Sequence, residues 1–307
     1  MVIKKTKKIS NGVDKKLIVI LGPNALGKSE LTVKLAKRFN GEIISADSRQ
    51  VYKGMDIGTG KVTKKEMQGI PHYLLNVSSP KTRFTVVQYR KLAIIAINKI
   101  FKKGKVPFIC GGTGFYIQAV VDGILIPEVP PDWKLRKKLE KKSAKELFAQ
   151  LKKLDPKRAR TIEKKNPRRL IRALEIVIKT KKPVPILKKK PLPYPVLMVG
   201  IKKDSRVLKK LIKTRLFKRL KKGMIAEVKR LKKSGISWKR LEEFGLEYRW
   251  IAKFLKKKIS FLEMTERLQK DIEHFSKRQM TWFKRDQKIR WVKNYKEAEK
   301  LVEKFLK

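Results

Sequence analysis

The chain has 307 residues, 41% of them hydrophobic, enough to bury a substantial core in one large domain or in a core with a smaller subdomain. Its 81 Lys and Arg against 27 Asp and Glu give a net charge of +54, which favours polyanionic partners such as nucleic acid. No apolar run of about 18 residues predicts a membrane span, and the single Cys110 excludes an intrachain disulfide.

The lysines are spread over nearly every segment, so the excess is read equally as compositional bias and as an RNA- or DNA-binding surface. Residues 1–15 read as a loose basic arm without the apolar stretch and cleavage site of a signal peptide, and the chain is read as cytoplasmic.

KLIVILG (16–22) is a continuous apolar run that suits a buried parallel strand. A helical pattern follows in SELTVKLAKRF, with Leu31, Leu35 and Phe39 on one face. GEIISADS (41–48) is a second strand ending at Asp47. Residues 87–105 predict an amphipathic helix closed by Gly104, VPFICGGTG (106–114) a third strand broken by paired glycines, and FYIQAVVDG another helix. Strands alternating with helices imply an α/β fold with a parallel sheet. From about 123 the chain changes character: a proline-rich stretch precedes one or two charged helices, and PRRLIRALEIVIKT (167–180) predicts a helix with Leu170, Ala173, Leu174 and Val177 along one side. VLMVGI (196–201) reads as a late strand, and everything after 204 as basic helix. The organisation expected is a core over 1–122, a helical insertion over 123–165, and core completion with a basic helical region over 166–307.

Gly22-Pro23-Asn24-Ala25-Leu26-Gly27-Lys28-Ser29 fits G-x-x-x-x-G-K-[ST] between a strand and a helix, the pattern of a P-loop. Backbone amides and the helix N-terminus cradle phosphate oxygens, Lys28 reaches the outer phosphates, and the Ser29 hydroxyl is a ligand for Mg²⁺. Asp47, at a strand end beside that loop, suits a base or metal ligand, or else caps a helix. Thr113 stands at the other strand end, as a site residue or a cap. Arg168, Arg169 and Arg172, and the Arg215/Arg219 pair, face phosphate or simply solvent. His72 has no spaced metal-ligand partner, and His274 reads as structural. A P-loop kinase and an RNA-binding protein with a decayed site are both compatible with these residues. The third strand ends in Gly111-Gly112-Thr113-Gly114 rather than in an acid, which argues against the kinase.

In order, GPNALGKS, IISADSRQVYKGMDIGTGK, IPHYLLNV, VPFICGGTGFYIQAV, NPRRLIRALEI, GMIAEVKRL and KRQMTWFKRD resemble the tRNA dimethylallyltransferase (tRNA isopentenyltransferase) family over about residues 17–290. The resemblance implies a P-loop NTPase-like core with a helical insertion. It also implies transfer of the dimethylallyl group of dimethylallyl diphosphate to N6 of the adenosine 3′ of a tRNA anticodon, with Mg²⁺ as cofactor and a monomeric enzyme. Residues 22–29 then hold the diphosphate. Lys28, Arg215 and the amides of 24–29 stabilise the leaving pyrophosphate, Asp47 takes or holds the N6 proton, and Thr113 touches the reacting centre. Asp47, Ser48, Arg49, Gln50, Thr113, Arg136 and Arg168, Arg169, Leu170, Ile171 and Arg172 match positions that meet the anticodon stem-loop. The chain departs from the family pattern at Asn24, Leu26, Leu211, the FGLEYRW segment and Glu273.

Overall fold

The computed structural model describes residues 15–125, 127 and 129–307; of the expected basic arm, residues 1–14 lie outside them. Among the described residues no helix is long and apolar enough to cross a membrane.

The chain divides into two compact units, 1–123 with 191–307, and 124–190. The first is built on a parallel six-stranded sheet of order β3-β2-β4-β1-β5-β6, from β1 (Leu17–Leu21), β2 (Gly41–Ala46), β3 (His72–Tyr73), β4 (Val106–Gly111), β5 (Val196–Ile201) and β6 (Ile289–Val292). The apolar run of β1 is continuous because both faces of the sheet are covered. Leu17, Val19 and Leu21 enter one core cluster, and Ile18 and Ile20 the other. Between the early strands lie α1 (Lys28–Arg38), α2 (Lys64–Met67) and α3 (Val86–Lys102), with α4 (Gly114–Val121) after β4. Thr85 caps α3 in a capping box with Gln88.

The second unit holds α5 (Trp133–Leu139), α6 (Ala144–Leu154), α7 (Pro156–Thr161) and α8 (Pro167–Thr180). The expected boundary at 165 therefore falls short. Leu170, Ala173 and Leu174 of α8 pack with Leu139, Leu147 and Leu151 in a core of the insertion's own, so α8 belongs to the insertion and not to core completion. α6 and α7 meet at Asp155, which ends the first and caps the second.

After β5 come α9 (Ser205–Lys221), α10 (Met224–Lys233), α11 (Trp238–Phe244), α12 (Leu246–Leu255) and α13 (Phe261–Phe283), then β6 and α14 (Tyr295–Leu306). Two strands escape the sequence reading. β3 has only two residues, and β6 interrupts the region expected to be helical throughout. It does so because IRWV can pair with Met198–Ile201 at the sheet edge, burying Ile289 and Val292, a tertiary gain that local pattern does not report.

Candidate active site

Register places the site. Leu21 pairs with Gly111, and Gly111 with Ala46, so Gly22, Gly112 and Asp47 are the first residues off the same edge of the sheet. Ligand sites of open parallel sheets form outside this carboxyl edge.

The segment from Gly22 to Gly27 turns from β1 into α1, with Ala25 at φ 68° and Gly27 at φ 75°. Among the described residues nothing accepts from the amides of Ala25, Leu26 or Gly27, which together with the open first turn of α1 leave a set of unpaired donors. The Asn24 amide is different: it donates to Gln279 Oε1 at 3.0 Å, so the donor set runs over 25–29 rather than the expected 24–29. Leu26, 5% exposed, anchors the loop in the core, a packing role that accounts for an apolar residue there. Lys28 Nζ donates to the Pro23 carbonyl at 2.6 Å. Burial brings its ammonium down to about 8, opposed by Cys110 and Asp47 and assisted by Arg215. Ser29 is exposed at the start of α1.

Asp47 does not cap a helix. Its Oδ1 accepts from the amides of Arg49 at 2.8 Å and Gln50 at 3.3 Å, closing a turn, while no hydrogen bond to Oδ2 is present among the described residues. Thr113 precedes α4 but makes no side-chain cap there; its Oγ1 instead accepts from the Ser48 amide at 3.0 Å. Gln50 spans from Ser45 Oγ, 3.2 Å, to the Gly60 carbonyl, 3.4 Å. The Arg49 guanidinium lies 5.6 Å from the centre of the Phe244 ring. Burial lowers its pKa, with Tyr52 and Asp47 acting in the opposite sense.

Arg215, on α9, donates to the Gly60 carbonyl at 3.4 Å. Burial and Arg219 lower its pKa against the pull of Glu247, Asp47 and Glu66, so it stands within electrostatic reach of the carboxylate. Leu211, one of the departures from the family pattern, is half-buried and packs against the core cluster that holds Ile18, Leu26 and Val199.

In the insertion, taken by itself, the expected contact residues separate into two groups. Leu170 and Ile171 are 0% and 8% exposed, so their side chains are core. Arg136 and Arg172 both hold the buried Glu175, at 2.6 and 2.5 Å, and Arg172 also meets the Val129 carbonyl at 3.1 Å. Arg136 gives two of its five donors to Glu175, and Arg172 gives three, to Glu175 and to the Val129 and Pro127 carbonyls. Arg168 and Arg169 are exposed, Arg169 in a loose 3.3 Å pair with Glu163.

Sequence reading missed several residues of this region. Gln279 joins the Asn24 amide to the Gly112 carbonyl, to which its Nε2 donates at 2.8 Å. Glu227, 1% exposed, and Lys61, bonded to the Tyr52 carbonyl, Asp56 and Asn76, organise the loop after Met55. A signal existed. Gln279 follows Met264, Leu268, Ile272 and Ser276 on the buried stripe of α13, and Glu227 stands with Met224, Val228 and Leu231 on that of α10. A polar residue on an apolar stripe needs a partner, and therefore a reason. Among the described residues no group of three or more His, Cys, Asp or Glu could hold a metal ion. His72 Nδ1 lies 2.8 Å from the Ile70 carbonyl.

The family model described as IPP transferase matches residues 50–286. The tRNA dimethylallyltransferases of Acetivibrio thermocellus and Carboxydothermus hydrogenoformans are 39% and 41% identical over 284 and 303 residues, covering 90% and 96% of this chain and 91% and 97% of theirs. The solved tRNA isopentenylpyrophosphate transferase of Bacillus halodurans is similar at a TM-score of 0.72 and 34% identity, over 95% of this chain and 97% of that one. A eukaryotic dimethylallyltransferase acting on tRNA matches at a TM-score of 0.73 and 28% identity, over 88% of this chain and 70% of its own. The sheet edge that carries Gly22–Ser29, Asp47 and Thr113 thus sits in a chain alike to these enzymes over nearly its full length, and the chain belongs to the IPP transferase family of tRNA dimethylallyltransferases.

Proposed function

We propose that the chain transfers the dimethylallyl group of dimethylallyl diphosphate to N6 of the adenosine 3′-adjacent to a tRNA anticodon. The bond from the allylic carbon to the diphosphate oxygen breaks, the bond from that carbon to N6 forms, one proton leaves the amine, and pyrophosphate departs. The observation that carries this reading is the joining of two opposite requirements at one sheet edge. Unpaired amides with Lys28 and Arg215 suit a leaving polyanion, and the Asp47 carboxylate, turned by Arg49 and Gln50, suits an amine that must lose a proton.

In this reading the amides of 25–29, Lys28 and Arg215 hold the diphosphate. Asp47 accepts or orients the N6 proton through Oδ2, and the Thr113–Ser48 bond sets the spacing between the two strand ends. The target base leaves its stack to reach this edge. For Mg²⁺ the described residues offer the Ser29 hydroxyl without an acidic cluster, a donor set that would suit an ion held mainly by diphosphate oxygens and water. When bound, such an ion neutralises charge on the leaving group. Exposed lysines, with Arg168 and Arg169, would meet RNA phosphates without reading sequence. The kinase alternative is disfavoured because β4 ends in Gly111-Gly112-Thr113 instead of an acid.

The test incubates the protein with Mg²⁺, dimethylallyl diphosphate and unmodified tRNA, and analyses the digested nucleosides by mass spectrometry. An adenosine carrying one dimethylallyl group is expected, falling by about 10²- to 10⁴-fold in Asp47→Ala. ATP consumption without any prenylated nucleoside would replace this reading with the kinase.

A further inference from the structure

The glycine-containing segment Asp56-Ile57-Gly58-Thr59-Gly60 is not free to cradle phosphate, because the amides of Asp56, Ile57 and Gly58 are held by one carboxylate and that of Gly60 by the Ile57 carbonyl. Glu227 Oε2 accepts from the amides of Asp56 at 2.9 Å and Ile57 at 2.6 Å, and Oε1 from that of Gly58 at 2.9 Å. The Tyr248 hydroxyl completes the shell at 2.8 Å; burial, and then Glu227, push its pKa well above the ordinary range, so it stays a donor. With the amides turned inward to one carboxylate, the carbonyls face the other way. Those of Ile57 and Gly58 accept from Arg219, and that of Gly60 accepts from Arg215. Arg219 is further matched by Glu247 at 3.0 Å. Among the described residues Arg215 has only the long Gly60 contact, which leaves most of its donors for another anion.

The glycines follow from this packing. A Cβ at Gly58 would stand 2.6 Å from Tyr248 Cζ and 3.0 Å from Glu227 Oε1, and one at Gly60, φ 60°, would run into the Arg215 guanidinium.

We infer that Glu227, seconded by Tyr248, is a positioning residue that acts through the 56–60 segment to set where the Arg215 guanidinium stands for the diphosphate. The inference rests on the proposed reading of Arg215 as a diphosphate-binding group. Glu227 touches no substrate. It shapes a carbonyl socket for two arginines, and its loss lets the segment turn its amides elsewhere and Arg215 swing away.

The test measures inorganic pyrophosphate affinity in Mg²⁺ by calorimetry, with melting temperature as a check on folding, for Arg215→Ala, Glu227→Gln, Tyr248→Phe and the doubles of each with Arg215→Ala. Arg215→Ala is expected to weaken binding by about tenfold or more, Glu227→Gln by about tenfold, and Tyr248→Phe by about threefold. Each double is expected to bind no worse than Arg215→Ala alone, since the positioning effect runs through that side chain. Unchanged affinity in Arg215→Ala would overturn the reading of Arg215 and this inference with it. A weakened Arg215→Ala beside folded Glu227→Gln and Tyr248→Phe of wild-type affinity would overturn the inference alone, as would losses that multiply in the doubles. Should Glu227→Gln fail to fold, Tyr248→Phe decides by the same comparison.

Discussion

The side-chain oxygen of Gln279 accepts the main-chain amide of Asn24 at 3.0 Å, while its nitrogen donates to the Gly112 carbonyl at 2.8 Å. One carboxamide on α13 therefore ties the loop after β1 to the end of β4. Replacing it by Ala leaves a buried carbonyl and an amide unpaired and lets the loop drift from Thr113. We expect Gln279→Ala to lower kcat/KM for dimethylallyl diphosphate by about 10- to 100-fold, with a smaller loss for Gln279→Glu, which keeps the acceptor. Steady-state kinetics at saturating tRNA check this, and equal losses in both variants would show that the Asn24 contact is not what matters.

The bond between Thr113 Oγ1 and the Ser48 amide, 3.0 Å, needs a hydroxyl at 113. Thr113→Ser should retain activity within a few fold, and Thr113→Ala should lose about tenfold or more in kcat, the rough cost of one positioned hydrogen bond at a reacting centre. Single-turnover rates with bound tRNA separate this from product release.

Lys28 carries a pH dependence with a definite sign. Its ammonium titrates near 8 in the fold, against 10.5 when free, because burial disfavours the charge. Between about 8 and 10.5 the unfolded chain holds this proton and the folded chain does not, so this residue adds stability as pH rises through that window. Diphosphate affinity should move the opposite way, falling as the pH passes about 8. A bound polyanion favours the ammonium, so binding near pH 8.5 should take up protons, measurable by calorimetry in buffers of different ionisation enthalpy. Lys28→Met should abolish the uptake.

Glu42 lies at the start of β2, with Asp47 just past its other end. Its carboxylate, 1% exposed, accepts from Tyr73 at 2.6 Å, from Lys103 at 2.9 Å and from Lys105 at 3.0 Å. Burial alone would raise its pKa, but the bonds from Tyr73, Lys103 and Lys105 outweigh that and hold it below the ordinary value. Its contribution to stability is thus present above the unfolded carboxylate range and is lost as pH falls through the lower folded value. Glu42→Gln should cost about 1–3 kcal/mol in denaturant unfolding and flatten the acid limb of the stability curve. Activity per folded molecule should stay unchanged.

Within the insertion, Glu175 is fully buried and accepts from the Asp132 amide at 2.7 Å, from Arg136 and from Arg172. Glu175→Ala should destabilise this unit by about 3 kcal/mol, because two guanidinium groups lose their shared partner. Hydrogen exchange should rise in α5 and α8 and stay unchanged in the β1–β4 strands. In tRNA binding, Arg168→Ala with Arg169→Ala should weaken affinity and lower the salt slope, whereas Arg136→Ala should act mainly through stability.

Local chemistry accounts for much of what was legible. The β1 run, the P-loop spacing, the α8 stripe and the strand ends at Asp47 and Thr113 all depend on residues close in sequence, where periodicity and turn chemistry speak directly. The order of motifs along the chain marks the family by itself. The inward turn of Arg136 and Arg172 was not legible, because an exposed arginine and one facing a buried carboxylate look alike in a helical pattern. The strand pairing of IRWV also escaped, since an edge strand is made by its neighbour.

The sequence by itself determined the parallel α/β core, the amide-rich loop at 22–29 and the chemical inventory of the sheet edge, because each is written in spacing over a few residues. Only the tertiary structure decided which polar groups serve one another. It gave Asp47 a turn instead of a helix, set Thr113 on Ser48 and gave the Asn24 amide to Gln279. It also wrapped the 56–60 segment around Glu227. The reason is physical: a buried donor or acceptor must be satisfied, and in this fold the partner can come from a helix 255 residues away, as Gln279 does for Asn24.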